Sequence, residues 1–358
     1  MGLSFLNLVS LNIARDLEFI KVAGLSLVAL IIGGDLEFSK SKKLGTPVII
    51  ITIVQVLGAF ILVTSSSVYL LNYSLSTAMI LGAISSATAP AVTVAVIHEY
   101  NAHGPLTDML IAIVALDDAV CLILFSLIAS IVDYMTGASH SFSFLHLLEP
   151  GFEILGSILL GSIIGFINIF FLKWVKNKHE MVVMILGSAL LSSPFASQLR
   201  LLTLLVNMTI GFVLTNFGRK PLLFHYFEDI ELPIFIAFFT LAGTELNIKL
   251  LAINWVGALA YIVARGLGKV CGVYMGGVMV HTDKKIRKYL GFAMLPQAGV
   301  AIALILQTSV NFPHIAPLIT ALVLGSVAIN EIIGPIGTKY ALTHAGEVGK
   351  NPKRPEKF

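Results

Sequence analysis

Long apolar runs separated by short polar gaps recur along the whole of this 358-residue chain. About 20 apolar residues in a helix cross the roughly 30 Å hydrocarbon core of a bilayer, and a helix satisfies its own backbone hydrogen bonds there. The pattern predicts eleven such spans, at roughly 17–38, 47–71, 74–100, 105–136, 147–175, 179–199, 201–217, 230–248, 253–279, 288–310 and 315–342. The third and tenth are interrupted, at Thr88-Ala89-Pro90 and at Leu295-Pro296-Gln297. Proline removes a backbone donor and clashes with the preceding turn, so Pro90 and Pro296 are expected to break their helices. The expected fold class is an all-α polytopic membrane protein with about 11 transmembrane helices.

Charge supports the count. The 23 lysines and arginines are not spread evenly along the chain. With eleven spans, one side collects 17 of them, including Lys40, Lys42, Lys43, Lys173, Lys284 and Lys285. The other side holds Arg15, Lys21, Arg200 and Lys249, while Arg265 and Lys269 fall inside a span. Positive charge marks the cytoplasmic side. The N-terminus is therefore expected outside and the C-terminus in the cytoplasm, in a cell (inner) membrane.

The composition is 57% hydrophobic and 12% charged, about half the charged share of a soluble domain. That excludes a soluble enzyme, and no nucleophile or metal constellation points to a membrane enzyme. No cofactor is expected. Basic residues gather at helix ends, so no nucleic-acid partner is expected, and the lipid bilayer is the surrounding partner. Cys121 and Cys271 both lie in apolar segments and read as packing residues. The first 15 residues lack the basic and apolar regions of a cleavable signal peptide.

The two halves of the chain repeat one another. Gly33-Gly34-Asp35 near the end of the first span answers Gly243-Thr244-Glu245 near the end of the eighth. The fourth opens Gly104-Pro105-Leu106 and reaches Asp117-Asp118; the eleventh opens Ala316-Pro317-Leu318 and reaches Asn330-Glu331. Pro90 answers Pro296. Units seven helices apart point in opposite directions, which makes this an inverted repeat, as found in secondary transporters with ion sites near the bilayer midplane. The expected division is an N-terminal segment (1–16), a first repeat (17–146), a linker with dimerisation-side helices (147–229), a second repeat (230–342) and a cytoplasmic tail (343–358).

Four ionisable residues lie deep in these spans: Asp117, Asp118, Lys269 and Glu331. A charge at such depth costs about 3 kcal/mol on insertion scales, so it must pair, face water or be neutral. Neighbours on a helix point about 100° apart. One aspartate can therefore pair with Lys269 while the other faces an aqueous cavity. Desolvation favours the neutral form of a carboxylic acid, so such a group can hold a proton or a sodium ion, but not both. Thr88 and Ser86 are the nearest hydroxyl ligands. Arg265, one turn before Lys269, is an alternative charge partner, and Glu331 and Gln297 are accessory candidates. A proton and a cation competing for one site that opens alternately to each side amounts to antiport. The glycines of Gly266-Leu267-Gly268 read as helix packing. His98, His103 and His281 read as surface histidines.

Four segments carry a resemblance to a known family. They are Ser86-Ala87-Thr88-Ala89-Pro90-Ala91, Ala115-Leu116-Asp117-Asp118-Ala119, Arg265-Gly266-Leu267-Gly268-Lys269 and Leu295-Pro296-Gln297-Ala298-Gly299-Val300. From about residue 17 to 342 the chain resembles the cation/proton antiporter superfamily, close to the bacterial NapA-type sodium/proton antiporters. The resemblance implies two crossed broken helices in a core domain that rocks against a dimerisation domain, and a homodimer. It implies that Asp118 binds the cation, Na⁺ or Li⁺, and that Asp117 pairs with Lys269. It further implies electrogenic exchange, with more protons moved than cations. The predicted helix count is one or two short of such antiporters at the N-terminus. Rival expectations are K⁺/H⁺ exchange, a sodium-coupled organic-acid symporter, or an inactive scaffold or sensor subunit.

Overall fold

The computed structural model describes residues 18–35, 45–136, 144–175, 177–199, 201–218 and 248–349, with single positions at 233, 236 and 240. These residues are helical and contain no strand. The first helices are α1 (Glu18–Asp35), α2 (Gly45–Tyr69), α3 (Leu75–Ser85), α4 (Pro90–Glu99) and α5 (Pro105–Met135). Next come α6 (Phe144–Leu172), α7 (Lys178–Gln198), α8 (Thr203–Phe217), α9 (Ile248–Ile253) and α10 (Trp255–Met279). The series ends with α11 (Lys284–Tyr289), α12 (Gly299–Asn311) and α13 (Ala316–Ala345), and a 3₁₀ turn, Leu290–Met294, continues α11. The eighth expected span, 230–248, lies outside the described residues apart from those single positions and Ile248, as does the side chain of Asp35.

Six described helices are long and apolar enough to cross a membrane, and the pair Lys284–Met294 and Gly299–Asn311, bent by 50°, makes a seventh. Two of the other expected spans fall short individually for visible reasons. The third is cut into pieces of 11 and 10 residues, α3 and α4. Helix α8 has 15 residues, which at 1.5 Å per residue reaches about 22 Å.

Both predicted breaks are present, but neither falls on the proline alone. After Ser85 the chain leaves the helix for residues 86–89, and Pro90 then opens α4. Proline suits that first position because its missing N–H would have had no helical partner. In the second break the 3₁₀ turn ends at Met294 and α12 starts only at Gly299.

The chain forms two compact units, Lys40–Cys121 with Lys249–Phe358, and Met1–Ser39 with Leu122–Ile248. These units are not the sequence repeats, and the boundary between them falls inside α5. In the second unit, α1, α6 and α7 pack with α8 around Leu27, Leu30, Ile185, Val206 and Ile210. A small polar set joins these helices: Ser26 and Ser193 share a hydrogen bond of 2.7 Å, and Ser192 donates to Asn207 at 2.9 Å.

The first unit holds both broken helices. Its firmest seam joins α2 to α10 through Gly268, Gly272 and Gly276, spaced four apart so that they line one face. A Cβ on Gly268 would lie 2.6 Å from the Ala59 Cα, one on Gly272 2.5 Å from the Gln55 Cα, and one on Gly276 2.9 Å from the Ile51 Cα. Small residues let membrane helices approach backbone to backbone, and here they bring Gln55 alongside Lys269. The assignment to helix packing holds for Gly268 but does not extend to Gly266, where a Cβ would meet nothing closer than 3.6 Å.

The same unit fixes the start of α5. The backbone N–H groups of Leu106 and Thr107 each donate to the Glu347 carboxylate at 2.8 Å, and the Thr107 hydroxyl donates to it at 2.7 Å. A carboxylate suits the positive end of a helix. Residues 343–349 thus differ from the surface tail expected there: α13 runs on to Ala345, Gly346 turns the chain at φ 74°, and Glu347 is buried. The glycine allows that left-handed turn, which aims the carboxylate at α5.

A methyl group on Gly272 must push α2 and α10 apart. Gly272→Ala is expected to lower stability by about 1–3 kcal/mol, the usual range for overpacking. Gly266→Ala, whose Cβ meets nothing closer than 3.6 Å, should be neutral or better. Thermal unfolding of the two variants in detergent checks this.

Candidate functional site

A break in a membrane helix leaves carbonyl groups with no i+4 donor, and no water in the hydrocarbon core replaces it. The two breaks meet here, the Ala89 N–H donating to the Pro296 carbonyl at 3.0 Å. Most of the remaining carbonyls are taken up by side chains of α10.

Arg265, 1% exposed, joins the two breaks. Its Nε donates to the Ser85 carbonyl at 3.0 Å and its Nη2 to that of Ala87 at 2.7 Å. On the other break its Nη1 donates to the Leu295 carbonyl at 2.6 Å and its Nη2 to that of Pro296 at 3.2 Å. The planar guanidinium fork can reach several carbonyls at once, and the end of α3 is the negative end of its dipole. The sequence offered Arg265 as an alternative partner for the aspartates. The structure instead directs its guanidinium to the backbone of the breaks.

Lys269 lies one turn further along α10 and is fully buried. Its Nζ donates to the Ser86 carbonyl, to the Thr88 hydroxyl at 2.9 Å and to the Asp117 carboxylate at 3.1 Å. The ion pair between Lys269 and Asp117 has both side chains at 0% exposure. The second oxygen of Asp117 accepts from the Gln55 amide of α2. Asp118, the next residue on α5, is equally buried.

The two hydroxyl candidates separate. Thr88 already accepts from the Lys269 ammonium, so its oxygen is engaged by one cation before another arrives. The Ser86 hydroxyl turns back to the Ala83 carbonyl at 2.6 Å and to the Cys121 sulfur at 3.1 Å. Cys121 is thus buried at the edge of the cluster, whereas Cys271 is exposed.

Gln297 belongs to the site's frame. Its amide nitrogen donates to the Ile84 carbonyl at 3.2 Å and to the Tyr261 hydroxyl at 2.9 Å, and its oxygen accepts from Asn330 at 3.2 Å. Helix α13 comes close to the second break because Gly334 has no side chain there: a Cβ on it would lie 2.7 Å from the Pro296 Cα. Glu331, half-buried beside Asn330, makes no described hydrogen bond with the cluster. His98, His103 and His281 are exposed.

The sequence reading missed Gln55, Tyr261 and Glu347. Gln55 had a signal: it is the one amide side chain in an otherwise apolar span, Val48–Val63, and intramembrane polar groups mark function or pairing. Tyr261 and Glu347 carried none, because their partners are far away in sequence.

Two broken helices joined over a buried Asp–Lys pair, in a polytopic helical membrane protein, define a secondary transporter of small cations. The family model "Sodium/hydrogen exchanger, transmembrane" matches residues 1–343. The chain belongs to that sodium/hydrogen exchanger family, within the cation/proton antiporters, and exchanges Na⁺ for H⁺.

Among solved structures, that of the sodium proton antiporter MjNhaP1 from Methanocaldococcus jannaschii at pH 8 superposes with a TM-score of 0.77. Identity is 18%, and the match covers 97% of this chain and 89% of that one. An electron-microscopy structure of the same antiporter gives 0.75 at 17% identity, covering 98% and 90%. At such identity the likeness establishes the fold. Among curated proteins, no sequence matches significantly.

Losing the Arg265 guanidinium strands the carbonyls of Ser85, Ala87 and Leu295, while that of Pro296 keeps the Ala89 N–H; a buried acceptor left without a donor costs about 1–3 kcal/mol. Arg265→Met is expected to lower stability by at least about 3 kcal/mol. Arg265→Lys should recover only part, since one ammonium cannot span both breaks as the fork does. Thermal unfolding in detergent measures both.

Proposed function

We propose that Asp118 is the carboxylate on which the cation and the proton compete, and that Asp117 is held as the counter-ion of Lys269. The observation that supports this is the buried 3.1 Å ion pair between Lys269 and Asp117. It neutralises one of two adjacent carboxylates and leaves the site with one acid to load and unload. Hard oxygen donors suit an alkali cation, and the break supplies them close by: the Thr88 hydroxyl, and the Ser86 carbonyl that Lys269 now holds.

A cation entering beside Asp118 meets the field of the Lys269 ammonium. Like charges at short range in a medium of low dielectric repel strongly. Cation binding therefore favours the neutral amine, and Lys269 can release its proton as the ion arrives. That step would move one proton more than the Asp118 exchange alone and make transport electrogenic. On the return, one proton binding to Asp118 expels the cation and a second proton restores the Lys269 ammonium. Alternating access then requires the unit bearing the breaks to present Asp118 to each side in turn. The substrates are Na⁺, with Li⁺ as a smaller congener, and H⁺. The protein works as a homodimer in a cell (inner) membrane, N-terminus outside and C-terminus in the cytoplasm, the side to which the lysine-rich loops belong.

Proteoliposomes with an internal pH dye test this. NaCl or LiCl, and not choline chloride, should dissipate an imposed pH gradient. Asp118→Asn should abolish the response in a folded protein; full retained activity removes Asp118 from the mechanism. Asp117→Asn should weaken exchange or change its charge stoichiometry, and an unchanged voltage dependence in that variant counts against the Asp117–Lys269 pairing.

A further inference from the structure

Gln55 is fully buried in the middle of α2, at the level where Gly272 lets the two helix backbones meet. Its amide N–H donates to Asp117, on the oxygen that Lys269 does not hold. Its own Oε1 has no hydrogen-bond partner among the described residues. A buried acceptor in that condition is destabilising, and a Leu or Met would fill the same space without it. Filling the seam between α2 and α10 therefore does not account for an amide. The bond to Asp117 does, because a hydrogen bond to a charged group is about twice as strong as a neutral one.

We infer that Gln55 is a positioning residue for the exchange reaction: with Lys269 it clamps the Asp117 carboxylate between α2 and α10, one donor on each oxygen, and so sets the place of Asp118 on α5. This rests on the roles proposed above for Asp117 and Asp118. The amide makes two contributions. It fixes the carboxylate's orientation, so that the same oxygen always faces Lys269. It also supplies a donor that does not depend on the Lys269 ammonium, so the carboxylate stays anchored to α2 when an entering cation draws on Lys269.

The charged and titratable groups around Asp117 are few. Asp118 and Cys121 lie on its own helix; Lys269, Arg265 and Tyr261 come from α10. The first break brings only Ser86 and Thr88. Helix α2 carries no Asp, Glu, Lys, Arg or His, and Glu331 is the sole carboxylate of α13. Gln55 is thus the only neutral side chain outside the α5–α10 pair that holds the carboxylate in the described structure.

The test is the pH profile of sodium-driven proton flux in proteoliposomes for Gln55→Met and Gln55→Glu, each alone and combined with Asp117→Asn. Methionine keeps the volume and removes the donor; glutamate keeps the shape and sets a carboxylate against Asp117. Both release one oxygen of the Asp117 carboxylate. The sodium concentration at half-maximal flux, read across the profile, should then rise by about tenfold, the size of one hydrogen bond to a charged group. In the Asp117→Asn background neither substitution should move it further, since residues that act through one another are not additive. Sodium-dependent thermal stabilisation over the same pH range reads the same shift for any variant too slow to assay. An unmoved value for both single variants, or an equal shift in both backgrounds, overturns the role of Gln55 and leaves Asp117 standing. If Asp117→Asn alone changes neither flux nor profile, the reading of Asp117 has failed, and the clamp with it.

Discussion

Helix breaks inside a membrane leave carbonyls that neither the helix nor the lipid can satisfy, and the rest of this structure depends on how they are met. One helix does most of the work. From α10, Arg265 reaches Ser85, Ala87, Leu295 and Pro296, and one turn later Lys269 reaches Ser86. Two buried cations can sit together because they face the negative end of α3 and a row of backbone oxygens. Each stabilises the breaks, and the breaks in turn make burial of the cations tolerable.

The chemistry follows from that arrangement. Lys269 has donors left over after the backbone is served, and they go to Thr88 and Asp117. Asp117 is then committed, from one side by an ammonium and from the other by the Gln55 amide. On the reading proposed above, the adjacent position on α5 is the site where a cation and a proton exclude one another. The glycine seam between α2 and α10 keeps Gln55 within reach, and the Glu347 carboxylate anchors the start of the helix that carries both aspartates.

Much of the site was legible because intramembrane charge is rare. Asp117, Asp118, Lys269 and the two interruptions stood out against an apolar background, and the resemblance to cation/proton antiporters attached the Asp117–Lys269 pairing to them. Arg265 stood out equally but was read for its charge, as a carboxylate partner. Its actual partners are backbone carbonyls, and every residue has one, so no sequence signal singles them out. The tail misled for a related reason: residues 343–358 are polar and basic, yet Glu347 is drawn inward by two N–H groups at a helix start 240 residues away.

The sequence by itself determined the membrane-spanning class, the positions of most of the described helices, the two breaks and the charged residues that had to be neutralised. Those are set by hydrophobic length, proline geometry and the energy of charge in lipid, all of which act locally along the chain. Only the tertiary structure decided which oxygen each cation meets, that Gln55 and Lys269 hold opposite sides of one carboxylate, and that Glu347 caps α5. These pairings depend on distances of about 3 Å between helices far apart in sequence. Such distances are set by the small-residue faces through which the helices pack.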